Sequence, residues 1–348
     1  MRHVLALALV GSFSASSAAQ EVVPLAASFF AHDHAWSSTR GDAHAPIGVM
    51  GDHTHEVGEW MVSVRMMSMS MRGLRIGTDG VSPQGVIGSG FAVTPTSMDT
   101  DVIMLGGMYA PAQDWTLTAM IPYVQNTMDH LTASNARFET ESSGIGDLRL
   151  GALYEVESTS EVRGHLNFAL SIPTGSIDER DVTPASSPAS TRLPYPMQLG
   201  SGTFDVMAGA TAIVQKPDYS IGAQALGTYR LGENDRDYTL GNRLEATVWG
   251  SYPIRDRQSI SLRLRGSRWS NIDGADPDLN PAQVPTADPN LQGGTRVDVS
   301  LGYNFASEGR HRVAVEASVP VYQDLEGPQL EMDSMVTIGW QFAWGGQH

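Results

Sequence analysis

Methionine is the residue whose number and spacing in this sequence most clearly suggest chemistry. The chain has 16 methionines in 348 residues, and ten of them lie between Met61 and Met128. A thioether sulfur is a soft ligand that favours Cu(I). Unbranched side chains on neighbouring strands, about 4.8 Å apart, can bring two or three sulfurs around one ion. The cluster therefore predicts a site for a soft monovalent metal ion if the fold brings these residues together.

Histidine is the second candidate ligand. Five of the ten histidines lie in residues 20–57, before the first regular segment, namely His32, His34, His44, His53 and His55. His-Asp-His and His-Thr-His place two imidazoles two residues apart, and imidazole binds copper in either oxidation state. Two interpretations stay open: an arm that captures metal, or a solvated terminal segment whose histidines bind nothing.

The elements that would position these side chains are β-strands. In residues 59–71, Trp60 and Val62 alternate with Met61, Ser63 and Arg65, and a period of two residues is typical of a strand whose faces have different surroundings. Twelve segments between residues 58 and 344 share this alternation. Short turns alternate with connections that are mostly longer, which is the plan of a bacterial outer-membrane barrel. The alternative, a secreted all-β protein, does not predict short turns at one end of the strands and longer connections at the other. It also does not predict charged residues repeated along one face.

The composition and charge of the chain argue against several other classes of protein and site. The net charge of −16 argues against a nucleic-acid partner. Residues 1–19 have a basic start, an apolar run and small residues, as a secretory signal peptide does. No later segment approaches the roughly 18 apolar residues that a membrane-spanning helix needs. The chain contains no cysteine, which removes disulfides and thiolate metal sites.

The predicted organisation is a signal peptide (1–19), a His-rich arm that lies in the periplasm or in the lumen (20–57), a transmembrane antiparallel β-barrel of twelve strands (58–344) and a short tail (345–348) in the outer membrane of a Gram-negative bacterium. By alternation, nine of the ten clustered methionines face the lumen, and Met66 faces lipid. The predicted metal ligands are Met61, Met67, Met69, Met71, Met98, Met104, Met108, Met120, Met128, His130 and Met335 in the barrel, and His32, His34, His53 and His55 in the arm.

A second set of inward-facing residues is charged, and pairing across strands would make it a water-wetted wall. Its members are Arg149, Arg243, Glu245, Arg263, Arg265, Asp298, Arg312 and Glu316. A hydrolase built on His165, Asn167 and Ser171 has no supporting motif, so no enzymatic activity is predicted.

Several local phrases resemble a known family. They are GIGDLRLG at residues 144–151, SIPTG at residues 171–175, and the Pro-aromatic passages at residues 121–123 and 319–322. Together they are similar to the outer-membrane "transporter" family linked to the meta-pathway of phenol degradation, and residues 46–55 with the Met-rich strands resemble a Met- and His-rich subgroup. The resemblance covers most of residues 58–344. It implies a barrel and a channel.

The sequence leaves three functions open. The first is an outer-membrane channel or transporter that handles a soft metal ion, copper as Cu(I) or else Ag(I). The second is a passive channel for small aromatic or apolar molecules, as the wider family name suggests. The third is a structural barrel without transport. Methionine as a mere filler of the wall would have no reason to avoid the lipid face, and this asymmetry favours the metal.

Overall fold

The structure is a computed structural model that describes residues 36–346. Its strands are β1 (Glu59–Gly77), β2 (Asp79–Val81), β3 (Val93–Ala112), β4 (Trp115–Thr132), β5 (Arg137–Ile145), β6 (Leu148–Ser158), β7 (Val162–Ile172), β8 (Arg180–Val182), β9 (Ser190–Arg192), β10 (Phe204–Gln215), β11 (Ser220–Leu231), β12 (Tyr238–Thr239), β13 (Arg243–Arg255), β14 (Gln258–Trp269), β15 (Asp273–Gly274), β16 (Gly294–Ala306) and β17 (His311–Gly345). One short helix, α1 (Pro83–Gly88), follows β2. Consecutive long strands pair antiparallel, and β17 pairs with β1 to close the sheet into a barrel.

Eleven strand elements of the described chain form the ring, with β2 beside β1 and β5 beside β4, where the sequence predicts twelve strands. The difference arises at β17, which is 35 residues long. Its residues 312–325 pair with β16, and its residues 325–345 pair with β1. Two predicted strands therefore lie in one element. The intervening segment is paired because a register shift opposite Val297 and Asp298 accommodates Pro320 in the ladder.

Residues 129–143 connect two of the alternating segments, where the sequence predicts a loop, and most of them are paired backbone instead. β4 continues to Thr132, and β5 returns along its far half, while β6 pairs with its near half. Between β5 and β6 the backbone leaves the ladder at Asp147, whose carboxylate accepts hydrogen bonds from the backbone N–H groups of Gly175 and Ser201, each at 2.9 Å. Side-chain hydrogen bonds replace the sheet at this point.

The two faces of the ring have the opposite polarity to those of a soluble protein, with apolar side chains outside and charged side chains inside. The outward face is apolar and exposed: Met66 is 56% exposed and Leu301 is 68% exposed. The inward face buries charge, with Arg263 at 2% and Glu316 at 1% exposure. Such a surface is stable against lipid rather than water, as in transmembrane barrels.

Aromatic rings collect at one end of the barrel, where the strands are joined by the short turns after β3, β6, β10, β13 and β16; we call this the short-turn end. The ring of Trp60 stacks on that of Tyr109, with centroids 4.1 Å apart, and lies 6.4 Å from that of Trp344. Such rings suit the boundary between lipid and water.

Residues 36–58 have no regular structure and lie inside the ring. Inward-facing side chains of five strands donate hydrogen bonds to their carbonyl oxygens. The pairs are Ser259 with Gly41, Ser220 with Asp42, Arg312 with Ala45, Arg65 with Val49, Gln224 with Met50, and Asn167 with Gly51. The predicted signal peptide, His32, His34 and residues 347–348 fall outside the described residues, so the predicted bounds of the arm and tail stay predictions.

The opposite end, which we call the long-loop end, is covered by the segments after β7, β11 and β14. Two small sheets, β8 with β9 and β12 with β15, lie in these segments. The buried guanidinium of Arg192 pairs with the carboxylates of Asp178 and Asp276. This pairing links the segment after β7 to the segment after β14. Among residues 36–346, no helix is both long and apolar enough to cross a membrane.

Candidate functional site

A cavity of about 130 Å³ lies between the irregular segment 36–58 and the inner faces of β1, β3 and β4. Six of its described lining residues are methionines: Met50, Met61, Met104, Met108, Met120 and Met207. An apolar cavity of about 150 Å³ holds benzene. The volume alone therefore admits a metal ion or a small apolar molecule, and the lining must discriminate between them.

Strand alternation and register place these methionines. Met61 on β1 lies directly opposite Met108 on β3, and Met120 on β4 lies opposite Gly106. A side chain at Gly106 would overlap Ser63, whose Oγ lies 2.5 Å from the position of a Cβ there. Met50 comes from the irregular segment, where the guanidinium of Arg65 donates to its sulfur. The cavity thus lies between the inserted segment and several strands, with Met207 contributed by β10.

The other predicted methionines do not line this cavity. Met71, Met98 and Met128 pack with Met197, Leu193 and Leu330 in an apolar cluster toward the long-loop end, which we call the outer cluster. Met69 lies opposite Met335, and Met67 is two residues nearer the cavity on β1. His130 is buried and stacks on Phe138, with ring centroids 4.7 Å apart. The predicted series of sulfurs is therefore divided into a cavity group, a middle group and the outer cluster.

A cluster of three residues at the short-turn side of the cavity offers nitrogen and carboxylate ligands. Nδ1 of His53 lies 2.9 Å from Oδ1 of Asp52, and Nδ1 of His44 lies 3.8 Å from Oδ2 of the same carboxylate. One ligand atom from each residue lies within 4.8 Å of the other two. The ring of His55 is 4.8 Å from that of His53, and its Nδ1 is 3.0 Å from Oε2 of Glu59.

Burial and neighbouring charges set the protonation of this cluster. Burial lowers the pKa of His53 to about 3, although the carboxylate of Asp52 opposes the shift. Burial and the charge of Arg312 lower the pKa of His44. Burial alone would raise the pKa of Asp52, but its interaction with His53, which includes a hydrogen bond, and the positive charge of Arg312 hold that pKa well below its usual range. At neutral pH the cluster thus presents neutral imidazoles, the ligating form, and an ionised carboxylate.

The cluster faces a vestibule of about 780 Å³ that opens at the short-turn end. Asp52, Met61 and Gln341 line both this vestibule and the methionine cavity. The two spaces are therefore adjacent, and the nitrogen and oxygen ligands lie between the vestibule and the sulfur ligands.

Sequence reasoning missed Asp52, Met50 and Met207, and it named His44 among the histidines of the arm without including it in the predicted metal ligands. Asp52 was available as a signal, because it directly precedes His53 and lies in residues 44–55, which hold three histidines. Met207 follows the inward-facing alternation of β10, beside Asp205 on the paired ladder. Met50 carries no periodic signal, because its segment has no regular structure.

The charged residues of the opposite wall form ion pairs. Arg265 Nη2 is 2.6 Å from Asp298 Oδ2, and Arg296 Nε is 3.0 Å from Oδ1 of the same carboxylate. Arg263 pairs with Glu316, and both side chains are almost fully buried, at 1% and 0% exposure. Arg149 instead lines the methionine cavity.

His165 and Asn167, considered above for a hydrolase, both contact the inserted segment. Nε2 of His165 and the amide of Asn167 each lie 2.9 Å from the carbonyl oxygen of Gly51. The amide oxygen of Asn167 also accepts a hydrogen bond from Thr211 at 2.9 Å. Their contacts in the structure are therefore those of residues that hold the segment in place.

Comparison with known proteins identifies the family. The family model described as "Putative MetA-pathway of phenol degradation" matches residues 84–314, more than half of the chain. The chain belongs to this family. No curated protein matches the sequence at a significant level.

Solved structures show the same fold. An outer membrane channel from Pseudomonas putida F1 is similar with a TM-score of 0.61 at 13% identity, over 85% of this chain and 99% of that one. The translocator domain of the autotransporter NalP from Neisseria meningitidis gives a TM-score of 0.44 at 11% identity, over 82% and 88%. The fold and the exposed apolar belt place this family member in the outer membrane of a Gram-negative bacterium, as a β-barrel surrounded by lipid.

Proposed function

We propose that this outer-membrane barrel binds and passes a soft monovalent metal ion, Cu(I) or Ag(I), through its methionine cavity, and that it represents a Met- and His-rich subgroup of its family. The observation that carries the proposal is the convergence of six methionines on one cavity of about 130 Å³. Thioethers favour Cu(I) over harder ions. A filler residue would be equally acceptable on the lipid face, where Met66 is the one member of the 61–128 group.

The orientation of the barrel in the membrane follows from the lengths of the connections at its two ends. Short turns face the periplasm in barrels of this kind, so the vestibule with the histidine cluster is periplasmic. We count β17 as two crossings, because its halves pair antiparallel with β16 and with β1 and thus run in opposite directions, which gives twelve crossings in all. Residues 36–58 then act as a plug whose displacement opens the lumen.

A channel for small aromatic or apolar molecules is the second candidate. The family description and the volume of the cavity favour it, and Leu153 and Leu226 add apolar lining. The two candidates differ in what the wall must supply. An apolar solute is indifferent to the exchange of sulfur for carbon, whereas a metal ion loses its ligands.

The test replaces Met61, Met104 and Met120 together by leucine. Leucine keeps volume and hydrophobicity, so each substitution should cost less than about 1.5 kcal/mol of stability. Binding of Ag(I), and of Cu(I) under a reductant, is measured by calorimetry on the purified protein. We expect the affinity to fall by about tenfold or more, equivalent to about 1.4 kcal/mol.

The matched control replaces Met71, Met98 and Met128 of the outer cluster by leucine, which removes as many sulfurs from the same strands. We expect this variant to keep the affinity of the cavity. If both triple variants bind Ag(I) and Cu(I) like the unmodified protein, the metal proposal is wrong. Retained binding of toluene by the cavity triple variant would then favour the apolar-solute channel.

A further inference from the structure

We infer that His44, Asp52 and His53 form a second metal site, which takes a divalent transition-metal ion such as Cu(II) from the vestibule. Nitrogen and carboxylate ligands suit Cu(II), whereas the thioethers of the cavity suit Cu(I). The role of this site as an entrance to the methionine cavity rests on the proposed function. Its capacity to bind a divalent ion stands on its own geometry.

The first observation is the arrangement of ligand atoms. The three side chains come from a turn of residues 44–53 that folds back on itself, and one ligand atom from each lies within 4.8 Å of the other two. A metal ion at their centre requires only small side-chain rotations. Both imidazoles are at the wall of the vestibule, so an ion can reach them from the short-turn end.

The second observation is unsatisfied polar atoms. Within residues 36–346, the buried Nδ1 of His44 and the buried Nε2 of the neighbouring His55 have no hydrogen-bond partner. The side chain of His55 is only 5% exposed. A buried polar atom without a partner costs about 1 to 3 kcal/mol. A bound metal ion would satisfy Nδ1 of His44, and His55 lies close enough to join after a rotation.

Arg312 opposes the binding of a cation, because its Nη1 lies 3.7 Å from Oδ2 of Asp52. Its guanidinium has other acceptors, however: Gln341 at 2.8 Å, Asn304 at 3.0 Å and the carbonyl oxygen of Ala45. Arg312 is thus held in place without Asp52. Oδ1 of the carboxylate lies 2.9 Å from Nδ1 of His53, and a bound metal ion would replace that hydrogen bond.

The simpler interpretation is that the carboxylate of Asp52 only fixes the turn. Its Oδ2 accepts a hydrogen bond from the backbone N–H of Ala45 at 3.1 Å, and its Oδ1 contacts His53. A test must therefore remove ligand atoms while keeping the turn. Glutamine in place of histidine retains an amide N–H for Asp52 and is a poor ligand for Cu(II).

The experiment titrates the purified full chain with Cu(II) in the absence of reductant and follows the bound ion by electron paramagnetic resonance. All samples carry glutamine at positions 32 and 34, so that His32 and His34 do not contribute. The variants are His44→Gln and His53→Gln. The matched control is His311→Gln, since His311 lines the same vestibule but lies outside the cluster.

We expect His44→Gln and His53→Gln each to weaken Cu(II) binding by about tenfold or more and to reduce the nitrogen hyperfine structure by the contribution of one imidazole, with His311→Gln unchanged. Heat-dependent electrophoretic mobility reports whether each barrel is folded, and Asp52→Asn, of nearly equal volume, provides a second ligand deletion if a histidine variant does not fold. Cu(II) binding that is unchanged in all three cluster variants would overturn the inference.

Different measurements test the divalent site and the proposed function: Cu(II) binding tests the first, and Ag(I) binding tests the second. Loss of Cu(II) binding in His53→Gln with retained Ag(I) binding supports two separate sites. Ag(I) binding that survives the cavity triple Met→Leu variant overturns the proposed function and leaves the divalent site standing. Cu(II) binding that falls in the triple Met→Leu variant as much as in His53→Gln would contradict a separate nitrogen and oxygen site.

Discussion

The two sides of the lumen share one strand pattern and differ in the chemistry that faces inward. On β1, β3 and β4 the inner face carries thioethers around a cavity of about 130 Å³. On β14, β16 and β17 it carries ion pairs such as Arg263 with Glu316 and Arg265 with Asp298. Both sides contact the inserted segment 36–58.

The difference in inward-facing chemistry determines how closely each side of the lumen packs against segment 36–58. Buried charges require fixed partners, so the charged side holds the segment closely: the pair of Arg263 and Glu316 lies directly against Gly48, and Arg312 donates to Ala45. Thioethers require no partner and adapt to irregular space. The methionine side therefore accommodates a cavity of about 130 Å³ beside the segment, and the following changes test this contrast.

The largest effect is expected for Glu316→Ala. It leaves the guanidinium of Arg263 buried at 1% exposure without its carboxylate, which should cost about 3 to 5 kcal/mol of unfolding free energy. Urea unfolding in lipid vesicles measures it. The double variant Arg263→Met with Glu316→Leu removes both charges and should be more stable than Glu316→Ala, and a double variant that is less stable would contradict this account.

Replacing a methionine by alanine should cost more stability in the packed outer cluster than at the cavity. Met128 is 1% exposed within the outer cluster, so Met128→Ala should cost about 2 to 5 kcal/mol. Met104→Ala enlarges an existing cavity and loses fewer contacts, so its cost should be smaller. Urea unfolding of the two variants compares them, and equal costs would show that the cavity side is packed as tightly as the outer cluster.

Gly48→Ala should loosen the contact between the inserted segment and the charged wall. A Cβ at this position would overlap the side chains of Glu316 and Arg263, and overpacking typically costs about 1 to 3 kcal/mol. We expect faster proteolysis of residues 36–58 and a higher single-channel conductance in planar bilayers. The control is Gly80→Ala, where a Cβ meets nothing within 4 Å. Unchanged conductance and proteolysis in Gly48→Ala would argue against the plug.

The smallest effect is expected at the exposed ion pair of Arg72 and Asp99 near the end of β1. Their side chains are 45% and 51% exposed, although their atoms approach to 2.7 Å. Exposed pairs contribute about 0 to 1 kcal/mol because water and salt screen them. Asp99→Ala should therefore change the urea midpoint little, and a loss as large as that of Glu316→Ala would show that burial is not what separates the two pairs.

The sequence by itself determined which side chains face inward. Alternation with a period of two assigned Arg65, Met61 and Arg263 to the lumen and Met66 to the lipid, and the structure has them there. This works because successive side chains of a strand point to opposite faces whatever the strand pairs with. The barrel class followed from the same pattern, since only a closed sheet can bury the polar face and expose the apolar one to lipid.

Only the tertiary structure decided where strands end and which distant residues meet. β17 continues through Pro320 with a bulge at Val321, where Val297 and Asp298 of β16 pair with Tyr322 and Pro320, and a local pattern carries no information about that partner strand. Met50 joins Met207 at the cavity, and His44 approaches Asp52, through a segment that has no period at all. Its path is set by hydrogen bonds to side chains of five strands, which exist only after the barrel has closed.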